Sequence, residues 1–172
     1  NGDVPNSTST EYTGSININT TTVVKAIAYS SDVTIPPSFI DYHTFFINDN
    51  HTIPILSISG NQVDNLLNGN NGLEPEGTIE WFDKNGILID KGTGEYNKHG
   101  NDSWAYNQRG FDYVMRDQFG YNYALKDKIF ATKNRDKFQR VIVKAAANDN
   151  YPFSYGGSGA HIRDAYVHHL SQ

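Results

Sequence analysis

The chain of 172 residues has no cysteine, a single methionine and only two tryptophans. Without cysteine there is no disulfide framework, no zinc–cysteine site and no thiol nucleophile, while an oxidising compartment stays open to such a chain. No run of about 18 apolar residues occurs, so no segment has the make-up of a membrane-spanning helix. Positive charge is scarce in the first part. Residues 1–97 hold 3 Lys or Arg against 12 Asp or Glu, and residues 98–172 hold 11 against 7. The two parts therefore carry net charges of −9 and +4. Four positive charges spread over the second part fall short of a nucleic-acid footprint, although they favour an anionic ligand there.

What the chain does have is aromatic and turn-forming residues: 11 Tyr and 9 Phe, with 19 Asn and 15 Gly. That mixture suits strands joined by tight turns. Length alone points to about one domain with a sizeable core. The polar opening NGDVPNSTSTEYTGS has the character of a linker or a domain edge. With Asn1 at the start and Gln172 just beyond an apparently helical Leu170, we expect a processed or excised piece of a longer protein.

Strand signals begin at Thr22, where TVVKAIAYS alternates with apolar residues on both sides until Pro36-Pro37. DYHTFFIN (41–48) and IPILSIS (53–59) read as further strands, and NQVDNLLN as a helical turn. Residues 78–82 and 87–90 flank Asn85-Gly86, the strongest hairpin signal in the chain. GFDYVMR (110–116) and FQRVIVKA (138–145) complete the strands, with 123–130 helical or extended. In AHIRDAYVHHLSQ an apolar stripe of Ile162, Ala165, Tyr166, His169 and Leu170 predicts a terminal helix. The expected fold class is α+β, a mainly antiparallel sheet with a C-terminal helix. We place a boundary at residue 48, with a small β element before it.

Several clusters carry chemical possibilities. Three glycines in SYGGSGAHIRDAY precede the helix, as at an anion-binding helix start, or simply as a lead-in. His161, Asp164 and His168 share a helical face at ligand-type spacing, which chance also produces on a surface helix. Arg163 beside them suits a phosphate or carboxylate, because its planar fork binds such groups bidentately. In GEYNKHGNDSWAYNQRGFDYVMRD (94–117) polar side chains interleave with aromatics, and Arg109 falls at a strand start. A cation there meets an anion in a cleft, or an ion-pair network joins Arg109 or Arg116 to nearby aspartates. Asn148-Asp149-Asn150 at a strand end is turn chemistry that also offers metal- or hydroxyl-binding oxygens. Nothing has the pattern of a Ser/His/Asp nucleophile elbow or an isolated glycosidase carboxylate pair.

Five blocks in order, HTIPILSISGNQVDNL, GTIEWFDKNG, GEYNKHGNDSWAYNQRGFDYVMRDQFG, FQRVIVKAAANDN and GAHIRDAYVHHL, resemble the spore-coat protein H (CotH) kinase family over residues 51–172. Upstream, TTTVVKAIAYSSDVTIPPSFIDYHTFFIN resembles the closing strands of a chitobiase C-terminal-type, immunoglobulin-like module. The resemblance implies residues 1–48 as the end of that β-sandwich module and 49–172 as the N-terminal part of a kinase domain, like the N-lobe of an atypical kinase. It further implies a secreted or cell-surface bacterial protein that, when complete, uses ATP and a divalent metal such as magnesium to phosphorylate protein serines. The family's catalytic aspartates belong to a second half, so this chain alone is expected to be inactive.

Carried over by position, the phosphate-binding residues are Arg109, where many relatives have a Lys-Ser pair, then Asn148 and Asp149, then Arg163 and Asp164. Around Asn148-Asp149 the family's glycines are replaced by alanines. Expected partners are the remainder of the same polypeptide, other surface or secretion proteins and a protein substrate, with no nucleic acid. The alternative is a non-catalytic bacterial surface module for adhesion or assembly. Exposed-looking aromatics give a third possibility, carbohydrate binding by the β-module.

Overall fold

The computed structural model describes residues 2–101, 104, 109–144 and 163–170, with backbone alone at 163–165 and 168. The first two strand signals form β1 (Thr22–Ala26) and β2 (Asp41–Phe45), an antiparallel ribbon in which Lys25 pairs with Tyr42 and Val23 with Thr44. A five-stranded antiparallel sheet follows, built from β3 (Ile55–Ser59), β4 (Glu76–Phe82), β5 (Leu88–His99), β6 (Gly110–Met115) and β9 (Arg140–Val143) in that spatial order. A two-stranded piece, β7 (Leu125–Lys126) with β8 (Lys137–Phe138), completes the sheets among the described residues. The expected mainly antiparallel sheet is met. Among the described residues helix is confined to two short segments, α1 (Val63–Leu67) and α2 (Arg163–Leu170).

Residues 83–87 join β4 to β5 for a local reason. The Asp83 carboxylate accepts from the Asn85 and Ile87 amides at 2.8 and 2.9 Å, and Gly86 takes a positive φ of 76° that a side chain would resist. The hairpin then brings Glu80 opposite Lys91 and Thr78 opposite Thr93.

Alternation gives the sheet two unlike faces. One carries Ile79, Tyr96, Phe111, Tyr113 and Met115, and it packs on Val63 and Leu66 of α1, on Trp104 and on Leu125. Tyr96 and Tyr113 are fully buried, their ring centroids 4.6 Å apart, and each hydroxyl donates to backbone carbonyls: Tyr96 to Thr78, Tyr113 to Gly77 and Gly92. Burial pushes both phenols well above their ordinary pKa. The other face carries Ser57, Ser59, Thr78, Glu80, Lys91 and Thr93, and the β1–β2 ribbon lies on it.

Residues 94–99, the start of the polar-aromatic block, form the second half of β5, paired with β6 from Gly94 opposite Met115 to His99 opposite Gly110. Glycine hides that strand because propensity disfavours it, whereas packing requires it: a Cβ on Gly94 would lie 2.1 Å from the Val114 carbonyl oxygen. The run 138–145 is not one strand. Its Gln139 carbonyl turns to accept the Met115 amide at 2.8 Å, which separates β8 from β9. Of the apolar stripe on α2, Tyr166 and Leu170 are 60% and 68% exposed.

Candidate functional site

A polar cluster fills the space between the ribbon and the sheet. Glu80 is 2% exposed in the middle of β4, too deep for a carboxylate to be left alone. The Thr44 hydroxyl donates to its Oε2, and His43 Nδ1 lies 3.2 Å from its Oε1. The imidazole is half-exposed, so one edge of the ring meets the buried carboxylate and the rest lies toward solvent. Thr44 Oγ1 also meets Ser57 Oγ at 2.7 Å. The His43 ring packs edge-on against Phe45 and tilted against Phe82.

Two lysines serve this interlayer in opposite ways. Lys91 Nζ donates to Asp41 Oδ1 and to the Tyr42 carbonyl, each at 2.6 Å, and sits 4.6 Å above the Tyr42 ring. Its hydrogen bond holds the Asp41 carboxyl below the usual range. Burial drives the Tyr42 phenol well up. Lys25, from the facing side of β1, has a buried Nζ with no hydrogen-bond partner among the described residues. Desolvation lowers its pKa from 10.5 to about 8, against the opposing pull of Asp3 and Glu80.

Lys25 also lines a cleft. Residues 2–16 run beside β1, anchored where the Val4 amide donates to Asn61 Oδ1 at 2.5 Å, and they leave a space of about 1190 Å³ against it. Asp3, Asn6, Glu11, Tyr12 and Tyr29 are among the other lining residues.

Arg109 stands immediately before β6, as expected, but its guanidinium is engaged with backbone. Nε donates to the Trp104 carbonyl at 3.0 Å and Nη1 to the Leu67 carbonyl at 2.9 Å. The Leu67 contact satisfies a carbonyl that the end of α1 leaves without an intrahelical partner. The cation lies 5.9 Å from the Trp104 ring centroid and packs beside Gly69. Asn148 and Asp149 lie outside the described residues. Arg163 and Asp164 form the first turn of α2 by their backbone, and their side chains lie outside the described set, as do His161 and the side chain of His168.

The ion pairs foreseen for the 94–117 block take other partners. Arg116 pairs with Glu95 at 2.8 Å, and Asp112, 5% exposed, is gripped by Arg140. Among the described residues, no group of three or more His, Asp or Glu side chains is arranged to hold a metal ion, and no helix is long and apolar enough to cross a membrane.

Sequence reasoning passed over Lys25, His43, Thr44 and Glu80. The signal was present in the hairpin: Asn85-Gly86 fixes Glu80 opposite Lys91 and Thr78 opposite Thr93, and these four polar residues mark a face that a second layer can cover. Set against protein-family models, curated proteins and solved structures, the chain matches none.

Proposed function

We propose that the chain is a non-catalytic binding module of a secreted or cell-surface protein, serving adhesion or assembly, with the cleft beside β1 as its ligand site. The observation that carries this reading is Lys25. A buried ammonium without an acceptor is costly to leave unmatched, and this one belongs to the wall of a cleft large enough to admit a ligand. Arg109 supports the same reading, because its Nε and one Nη already serve two backbone carbonyls and hold α1 against the sheet.

A second reading has its own support in the five-stranded antiparallel sheet, the kind of scaffold an atypical kinase N-lobe uses. On that reading the complete CotH-like protein transfers phosphate from ATP, with a divalent metal, to protein serines. Arg109, Asn148, Asp149, Arg163 and Asp164 then surround the phosphates, and the remainder of the polypeptide supplies the base and the metal-holding groups.

Beads coated with the chain, challenged with cell-wall and extracellular-matrix preparations, test the first reading beside magnesium-ATP titrations of the same protein. Adhesion without nucleotide binding is the expected result. Saturable magnesium-ATP binding without adhesion overturns it in favour of the phosphotransferase.

A further inference from the structure

The lining of the cleft beside β1 narrows the chemistry of what it takes. Its charged residues are Asp3, Glu11 and Lys25, one cation and two carboxylates. An anion meets net repulsion there, and an apolar ligand would desolvate three charges without satisfying any. A neutral ligand with many hydroxyls meets neither obstacle. Its hydroxyls donate to the carboxylates, and its oxygens accept from the amine.

The aromatic residues strengthen that match. Tyr12 is 74% and Tyr29 50% exposed on the cleft lining. Rings in that setting offer flat faces to the C–H surface of a pyranose and phenol hydroxyls to its edge. A space of about 1190 Å³ exceeds the roughly 300–1,000 Å³ of ordinary small-ligand pockets, which fits an oligomer better than a single sugar. Lys25 reaches a ligand oxygen by a turn of its four-carbon stem, exchanging a buried unpaired state for a hydrogen bond.

We infer that the cleft between residues 2–16 and β1 binds a neutral oligosaccharide, with Tyr12 and Tyr29 as stacking platforms and Lys25 as the donor. This rests on the reading of the chain as a binding module and names its ligand class. Sequence gave aromatics alone as the reason to consider a carbohydrate; the shared cleft and the unpaired amine are independent of them.

The test is an array of neutral glycans, followed by calorimetric titration with hexasaccharides of β-1,4-linked glucose and of N-acetylglucosamine, with enzymatically deglycosylated matrix proteins probed in parallel. Saturable glycan binding is expected, weakened about tenfold by Tyr12→Ala, by Tyr29→Ala and by Lys25→Met, and largely kept by Lys25→Arg. Circular dichroism on each variant separates lost binding from lost folding. Absence of binding to any neutral glycan, or variants that bind as the wild type does, overturns the inference. If only deglycosylated protein is bound, the saccharide falls and the binding-module reading stands. If neither is bound, both fall.

Discussion

Replacing Lys25 by methionine stabilises the fold, and the gain depends on pH. Methionine keeps an unbranched stem of similar length and removes the amine. Leaving a buried donor unsatisfied costs about 1–3 kcal/mol. Part of the Lys25 side chain remains near solvent, which screens the charge and puts the gain toward the low end, about 1 kcal/mol. For a chain of this size that corresponds to a rise in Tm of about 2–4 °C. Burial lowers the amine's pKa from 10.5 to about 8 in the folded protein, so between those values the unfolded chain holds the extra proton. The penalty is therefore fully present below about pH 8 and is relieved as pH rises toward 10.5.

Thermal unfolding of wild type and Lys25→Met, followed by circular dichroism at neutral pH and at the alkaline end, reads both claims. The difference between the two proteins should shrink on going alkaline, whatever tyrosine ionisation does to each. A variant less stable than wild type at neutral pH, or a gain unchanged by pH, refutes the account of Lys25 as a buried unpaired cation. The same substitution weakens saccharide binding, so stability and function pull in opposite directions at this position.

Two further perturbations probe the packing. Arg109→Met removes the donors to Leu67 and Trp104 and should lower stability by about 2–3 kcal/mol in urea denaturation, against a negligible change if the guanidinium merely awaited a phosphate. Gly94→Ala should destabilise more than Gly92→Ala: the added methyl at 94 lies 2.1 Å from the Val114 carbonyl oxygen, which is backbone, whereas at 92 it meets the movable end of Met115. Equal losses in the two thermal melts would contradict that difference.

How much the sequence disclosed depended on whether the cause was local. Asn85-Gly86 announced its hairpin because the turn is built from those residues and from Asp83 just before them. The strand from Gly92 to His99 stayed hidden, since the need for glycine at 94 lies in the backbone of Val114, on another strand. Arg109 was placed correctly before β6 and then assigned to phosphate; nothing near it in the chain shows that Leu67, 42 residues away, takes its donor. Lys25 was visible only as one member of an alternating strand. That its amine is buried, with Glu80 and Asp3 as its nearest opposing charges, follows from the ribbon lying on Glu80 and from the path of residues 2–16, both long-range facts.

The position of β9 has a mechanical side. Among the described residues it is an edge strand paired only with β6, antiparallel, with Val143 opposite Phe111 at one end and Arg140 opposite Val114 at the other. Tension applied beyond Val143 loads these pairs one after another, like a zip, instead of sharing the force among them as shear would. The Arg140–Asp112 clamp lies toward the end that opens last. Under pull from that side, the sheet gives way first in its least protected strand and meets its firmest resistance only where that strand begins.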